Sequence, residues 1–240
     1  MSTGQEILSL EAISHACGLP KSTTHRILST LAMHNYVEPL EPPGLYRLGL
    51  RMAVAGSAAI RQRAPREDVH RVLENLRDQT EEATGMSVLD GRDVVVIDRV
   101  SSRHPLSYYI GVGTAMPAVC TAAGKVLLSG LSDEACTAIV GSDPVQQCTK
   151  RTVSSMADFR RGLLQVRELG YATDDEELAE GLRCLSVPVA DAAGVVRYSV
   201  GILCAAARVN RQQLEAFLPA VRQAAATIQG HMQLLEAARR

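Results

Sequence analysis

The sequence predicts an α+β fold, and three features of the 240-residue chain support this prediction. Two helical segments separated by Gly18 stand near the start. Two pairs of β-rich runs are each joined by a turn, one at Asp90-Gly91 and one at residues 191–194. Further helical segments lie between and after these hairpins. Strands interleaved with hairpins and helices are typical of an antiparallel sheet flanked by helices.

The first two helices are predicted from their ends. Ser9 is placed to cap a helix over Leu10–Cys17, and Gly18 can end that helix in a left-handed conformation. Pro20 suits the first turn of the next helix, which should run to about His34, because no hydrogen bond is needed from its nitrogen there. The residues expected on the covered faces are apolar: Ala12, Ile13, Ala16, Ile27, Leu28 and Leu31.

A wing and a connecting helix are expected next. Val37–Leu40 and residues 46–48 flank Glu41-Pro42-Pro43-Gly44, which predicts a strand, a turn and a second strand. Residues 51–63 are rich in alanine and helical in pattern, and Pro65 should stop the helix. This helix is interpreted as a linker between two domains.

The larger domain opens with apolar residues at helical spacing over residues 69–76. Its last helix should start at Asn210, where Gln213 completes a capping-box pattern. Strands are expected at residues 86–89, 94–100, 106–110, 187–190 and 195–203. Helices are expected at Ala122–Ser129, Asp133–Val140 and residues 158–169.

Composition argues against several classes of protein. The formal net charge is −1, and the first sixty residues carry four Lys or Arg and four Glu, so bulk charge cannot drive nucleic-acid binding. No apolar run approaches the ~20 residues of a membrane span, and no signal peptide is visible, which predicts a cytoplasmic protein without membrane contact.

His15 and Cys17 lack a second ligand pair, so no metal is expected. The six cysteines are expected to be reduced and mostly buried.

The second helix carries short hydroxyl and basic side chains in its first turns. In a helix-turn-helix these turns enter the major groove, where such side chains reach base edges and phosphates. An ordinary capped helix with a solvated polar face is the alternative, and the wing behind the helix favours DNA binding. The expected DNA-contacting residues are Lys21, Ser22, Thr23, His25, Arg26 and Arg47.

Gly124-Lys125 invites comparison with a phosphate-binding loop. Val126 stands where the metal-binding hydroxyl should be, and the glycine five positions upstream is absent. We therefore expect a helix start packed against a sheet, and no nucleotide or other cofactor.

Four consecutive acids, Asp174-Asp175-Glu176-Glu177, precede the strand start at Gly181-Leu182-Arg183-Cys184. Such a run usually forms a solvated loop, but its position also allows one acid to face a small-molecule site. The sequence contains no G-x-S-x-G elbow and no cysteine with a nearby ordered histidine, so no catalytic residue and no enzyme activity are expected.

These residues together give the chain a resemblance to the IclR family of regulators over nearly its whole length. The resemblance is most specific over residues 170–184. The segment Ala118-Val119-Cys120-Thr121 is similar to the branch that regulates aromatic-acid catabolism. The other matching segments are residues 18–28, 46–49, 88–91, 98–100 and 120–128.

The resemblance implies a winged helix-turn-helix over residues 1–50, a linker helix over 51–66 and a GAF-like effector-binding domain over 67–240. It implies partners: double-stranded operator DNA, a small organic acid, aromatic acids included, and further copies of the chain in a homodimer or homotetramer. The family's pocket positions correspond here to Tyr108, Met116, Ala122, Ala123, Asp174, Leu182, Cys184, Gly201 and Leu203.

Two departures from the family pattern bear on function. Relatives have a full helix ahead of Leu10, and without it Ile13, Ile27 and Leu31 would lose a packing partner. Some relatives have serines where Gly201 and Leu203 stand, so this wall of the pocket should be less polar. We interpret the chain as a ligand-responsive transcription regulator, repressor or activator. The alternatives are an effector-binding sensor with a degenerate DNA-binding domain and, less favoured, a hydrolase.

Overall fold

The computed structural model describes residues 7–63, 67–105, 108–141 and 145–237. The chain divides into two compact units, Met1–Arg63 and Ala64–Arg240. Neither unit has, in these described ranges, a helix long and apolar enough to cross a membrane.

The first unit is a small helical body with a three-stranded sheet. Ser9 caps the first helix as predicted, because its Oγ accepts a hydrogen bond from the N–H of Ala12 at 3.1 Å. Gly18 ends that helix with a left-handed φ of 64°. The strands pair antiparallel in the order β1-β3-β2. The elements are β1 (Ile7–Ser9), α1 (Leu10–Cys17), α2 (Lys21–Met33), β2 (Val37–Leu40), β3 (Leu45–Leu48) and α3 (Leu50–Arg63).

Fewer residues are buried in the core of this unit than the sequence pattern predicts. Leu28, Val37 and Tyr46 are buried together, with Ile13 packed partly against them. Thr24 and Leu28, four residues apart, form the buried stripe of α2. The other apolar residues predicted to face inward are exposed instead, since α1 and the wing cover only this stripe: Ala12, Ala16, Ile27 (44 %) and Leu31 (36 %).

The second unit is built on one antiparallel sheet of six strands in the order β6-β5-β4-β9-β8-β7. The predicted capping box at Asn210 is present, but the last helix is broken at Phe217 into two. The strands are β4 (Ala83–Asp90), β5 (Asp93–Val100), β6 (Ala115–Pro117), β7 (Ala172–Asp175), β8 (Leu182–Ala190) and β9 (Val196–Ala205). The helices are α4 (Glu67–Thr80), α5 (Ala122–Ser129), α6 (Asp133–Val140), α7 (Met156–Leu169), α8 (Arg211–Ala216) and α9 (Leu218–Ala237).

Strand alternation gives the sheet two different faces. One face packs with α4 and α9 around a core that includes Leu73, Leu185 and Val200. The opposite face meets α5, and α6 and α7 pack with α5 in further apolar clusters. Because successive residues of a strand point to opposite faces, Cys184 and Ser186 of β8 lie on the α5 side.

Two predictions about strands are wrong. Residues 106–107 of the predicted strand 106–110 lie outside the described ranges, and 108–110 are not a strand. The edge strand is β6 instead, with Met116 opposite Val94 of β5. The acidic run is also not a loop at its start, because Asp174 and Asp175 belong to β7, where Asp174 lies opposite Cys184.

Candidate functional site

The first turns of α2 present a polar surface in the first unit. Ser22, His25 and Arg26 are exposed, whereas Thr23 is half-buried. Thr24 is the exception in this run, since its buried hydroxyl donates to the carbonyl of Pro20 at 3.1 Å. The helix therefore turns most of the predicted DNA-contacting side chains to the outside.

Acidic neighbours hold two of the basic residues predicted to meet DNA. Lys21 forms an ion pair with Glu11. In the wing, Nε of Arg47 donates to Oε2 of Glu38 at 2.7 Å. Exposed pairs of this kind contribute little free energy and exchange easily for other partners. Arg26 forms no ion pair with any of the residues that the structure describes, so it is the cation of α2 most available to an anion.

A cavity lies in the second unit, on the α5 side of the sheet. Its empty volume is about 570 Å³, a figure that includes space open to solvent. Six of the nine predicted effector residues line it: Met116, Ala122, Ala123, Cys184, Gly201 and Leu203.

A row of four residues crosses the floor of this cavity. In the strand register, Arg99 of β5 lies opposite Gly85, which lies opposite Gly201, which lies opposite Ser186. Directly paired residues project to the same face of a sheet. A Cβ atom on Gly201 would lie 2.3 Å from the carbonyl oxygen of Leu185, so this position accepts only glycine without local rearrangement. The two glycines leave the floor open between Arg99 and Ser186.

The start of α5 lies at the wall of the cavity, and its first two N–H groups have no hydrogen-bond partner in the part of the chain that the structure describes. The Oγ1 of Thr121 accepts from the N–H of Gly124 at 2.9 Å, and the first intrahelical bond runs from Lys125 to the Thr121 carbonyl at 3.0 Å. The N–H groups of Ala122 and Ala123 precede that bond. Free N–H groups at a helix start attract anions.

Gly124 and Lys125 have structural roles. A Cβ on Gly124 would lie 2.0 Å from the carbonyl oxygen of Ala118, so this glycine permits close packing of the helix start. Lys125 is directed away from the helix start, where its ammonium donates to the carbonyl of Thr173 at 3.0 Å and to Glu177. Neither residue therefore has the geometry of a phosphate-binding loop.

Asp174 is fully buried and does not itself line the cavity. Its Oδ1 accepts from the N–H groups of Glu177 at 2.7 Å and Leu178 at 3.3 Å. Its Oδ2 has no hydrogen-bond partner among the described residues. Burial raises the pKa of this carboxyl to about 7, the hydrogen bond from Glu177 opposes the shift, and the Glu177 charge adds to it. Asp174 thus positions Leu178, which does line the cavity.

The remaining acids form ion pairs and are not a solvated loop. Asp175 accepts from Arg183 and Arg211 and from Nη1 of Arg151, the last at 2.9 Å. Burial alone would raise the pKa of Asp175, but the bonds and charges of Arg183 and Arg211 hold it below its ordinary value. This network fixes the connection from β7 to β8.

Two other predicted residues lie near the cavity without lining it. The hydroxyl of Tyr108 donates to the carbonyl of Glu180 at 2.6 Å, which ties the segment after residue 107 to the turn before β8. Leu182 is buried at the start of β8. Tyr108 therefore supports the rim of the cavity, and Leu182 supports its wall without lining it.

Arg99 lines the cavity, although it was not among the predicted effector-binding residues. Its Nη2 donates to the carbonyl of Tyr108 at 3.0 Å, and its guanidinium lies 4.8 Å from the centre of the Tyr109 ring. Burial lowers the pKa of Arg99, and no carboxylate pairs with it within the described ranges. It is the only charged side chain among the described lining residues. Three serines of the sheet were missed as well: Ser87, Ser186 and Ser199.

Comparisons with known proteins match both units. Residues 1–41 match the IclR helix-turn-helix domain, and residues 57–230 match the C-terminal domain of bacterial transcriptional regulators of the IclR type. The HTH-type transcriptional regulator XynR of Escherichia coli is 33 % identical over 222 residues, which cover 90 % of this chain and 86 % of XynR. The Pca regulon regulatory protein of Pseudomonas putida is 30 % identical over 88 % of this chain and 73 % of its own length.

Solved structures agree at the level of the fold. A transcriptional regulator from Rhodococcus sp. RHA1 superposes with a TM-score of 0.77 at 28 % identity, covering 98 % of this chain and 94 % of its own. An IclR homologue from Microbacterium hydrocarbonoxydans, in complex with 4-hydroxybenzoate, has a TM-score of 0.73 at 20 % identity, covering 98 % of this chain and 95 % of its own. The second likeness concerns the fold alone.

Proposed function

Since this chain belongs to the IclR family and is a ligand-responsive, DNA-binding transcriptional regulator, we propose that its effector is a small organic acid bound beside α5. Its named relatives are regulators and not enzymes, and this chain is a regulator of the same kind. The observation that carries the proposal is the start of α5, where Ala122 and Ala123 line the cavity and their N–H groups have no hydrogen-bond partner among the described residues.

The carboxylate of the effector is placed at these two N–H groups, where the helix dipole favours negative charge. The body of the effector lies along the floor against Met116 and Leu203, which favours an apolar body such as an aromatic ring over the smallest keto acids. Arg99 lies at the far end of the floor, where it can receive a second polar or acidic group of the ligand. Asp174, with Leu182 and Cys184, shapes the wall, and Tyr108 holds the rim.

Calorimetric titration with 4-hydroxybenzoate, pyruvate and glyoxylate tests this placement. Ala123→Asp puts a carboxylate at the anion site and should abolish binding. Ala138→Asp makes the same charge change at an exposed position of α6 and should leave binding unchanged. Unchanged binding in Ala123→Asp would locate the effector elsewhere, and a preference for glyoxylate would overturn the argument from size.

Arg99→Gln separates the two ends of the cavity. A charge-assisted hydrogen bond contributes roughly 1.5–3 kcal/mol, so losing one should weaken binding about 10- to 150-fold. If Arg99→Gln leaves the affinity unchanged while Ala123→Asp abolishes it, the ligand is anchored at α5 alone.

The operator-contacting residues are proposed to be Lys21, Ser22, Thr23, His25 and Arg26 of α2 with Arg47 of the wing. Arg26→Ala should weaken binding to the DNA upstream of the chain's own gene by about 5- to 150-fold, the equivalent of one base contact of roughly 1–3 kcal/mol. Arg61→Ala removes an exposed charge from α3 and is the control. Equal loss in both variants would show that α2 has no special role. Because a protein that binds operator DNA must reach that DNA, we propose a cytoplasmic location.

The protein is further proposed to assemble as a homodimer or homotetramer. Residues 52–60 of α3 are rich in small side chains, and Leu50 and Val54 of the same helix are exposed in the first unit. Light scattering at micromolar concentration should give twice or four times the chain mass of 25.8 kDa. A sharp monomer mass would exclude assembly.

A further inference from the structure

Two thiols of the second unit lie close enough to bond. The Sγ atoms of Cys148 and Cys120 are 2.7 Å apart, although the residues are 28 positions apart in the chain. Both thiols are free. A disulfide has an S–S distance of about 2.05 Å, so a shift of about 0.7 Å would close the bond. We propose that Cys120 and Cys148 are a thiol-oxidation site that forms a reversible disulfide beside the cavity.

The two cysteines are suited to different steps. Cys148 is exposed, so a soluble oxidant can reach it. Cys120 is fully buried, and its Sγ also contacts the carbonyl of Gln146 at 3.6 Å. Burial and the hydrogen bond from Cys148 raise the pKa of Cys120 to about 12, which protects it from direct oxidation. Cys148 is therefore the thiol that is oxidised first, and Cys120 is the one that then forms the disulfide with it.

Hydrogen peroxide supplies the oxidising equivalents. The Cys148 thiolate attacks one peroxide oxygen, the O–O bond breaks, and hydroxide leaves with the thiol proton as water to give a sulfenic acid. The Cys120 sulfur then attacks the Cys148 sulfur, the S–O bond breaks, and the Cys120 proton leaves with the hydroxide as a second water. Two thiols and one peroxide thus give one disulfide and two waters, and a dithiol reductant reverses the change.

The bond would join the start of α5 to the loop that supports the acidic strand. Cys120 immediately precedes Thr121, the residue that caps α5. The N–H of Cys148 donates to Oγ1 of Thr152 at 3.2 Å, and that hydroxyl donates to the carbonyl of Glu177 at 2.6 Å. Oxidation would therefore fix the cap of α5, and with it the wall of the cavity, to the loop that holds Glu177.

The test uses the full chain with Cys17→Ser, because Cys17 and Cys148 are the two exposed thiols of the described residues. Six cysteines minus one leaves five thiols. After peroxide, a thiol titration of the denatured protein should find three, and the mass should fall by ~2 Da. Peptide mapping without reductant should show residues 104–125 joined to 126–150 through Cys120 and Cys148, and not through Cys136.

Stability gives a second readout. Closing a loop of this length should raise the Tm by roughly 5–10 °C, and dithiothreitol should return it to the starting value. The double variant Cys17→Ser/Cys148→Ser should show neither the cross-link nor the rise. The proposal is overturned if five thiols persist, if Cys148 is found as sulfinic acid beside unmodified Cys120, or if the cross-link lowers the Tm.

Discussion

Replacing Asp174 by asparagine should change how the stability of the protein depends on pH. Burial raises the pKa of this carboxyl from 3.8 to about 7, so between these values the native state holds a proton that the unfolded chain releases. The resulting stabilisation is fully present below about pH 4 and is lost as the pH rises through 7. Asp174 has no exposed surface, so no correction for solvent screening applies.

The magnitude follows from the two pKa values. The linkage relation gives about 3 kcal/mol of stabilisation at pH 5 and close to zero at pH 8. Asparagine keeps an oxygen for the N–H groups of Glu177 and Leu178 but does not ionise. Any cost of its unpaired amide is the same at both pH values. The unfolding free energy of Asp174→Asn relative to the wild type should therefore rise by about 3 kcal/mol from pH 5 to pH 8.

Urea unfolding at the two pH values measures this difference. The chain contains no tryptophan, so far-UV circular dichroism is the suitable signal. Asp68→Asn, which removes an exposed carboxyl from α4, is the control and should show no such change. A wild-type-to-variant difference that agrees within ~0.5 kcal/mol at pH 5 and pH 8 would mean that Asp174 is ionised throughout, and the argument from burial would fail.

Two further substitutions, with one control, test the frame of the cavity. Asp175→Asn removes the negative charge that three arginines share and should cost about 2 kcal/mol at pH 7. The loss should shrink below about pH 4, where the wild-type carboxyl is protonated, and a pH-independent cost in urea unfolding would contradict this. Gly201→Ala should destabilise by roughly 1–3 kcal/mol, because its Cβ meets the Leu185 carbonyl. Gly162→Ala in α7, where the space is open, should instead stabilise by about 0.5–1 kcal/mol, and equal melting shifts in both variants would contradict the packing argument.

Local signals in the sequence were sufficient for most elements of the fold. Ser9 and Asn210 each cap a helix at the predicted position, because a cap depends on residues only three positions apart. The predicted hairpins around Asp90-Gly91 and residues 191–194 are also present, because a tight turn depends on residues that are close in sequence. The predictions that failed depend on distant partners. Which face of α2 is covered depends on the wing, and the edge strand of the sheet depends on β5.

The candidate site likewise contains features that depend on distant parts of the chain and were therefore not predicted. The acidic run is held by Arg151, Arg183 and Arg211, which come from three separate parts of the chain. Arg99 reaches the cavity through a register that passes across β4 and β9 to β8, and a single sequence does not reveal that register. Alternation within β8 and β9 could have placed Ser186 and Ser199 on the cavity face once Cys184 and Gly201 were assigned there.

The open row of glycines on the cavity floor has a consequence for engineering this protein as a biosensor. At Gly201 the main chain of β8 sets the depth of the cavity, so a library that varies this position would consist mainly of misfolded members. At Gly85 the nearest obstacle to a methyl group is the Asp98 carbonyl at 3.3 Å, which a small displacement relieves. Diversity directed to Gly85, Ser87 and Ser199, with Gly201 held constant, would reshape ligand preference while preserving the scaffold.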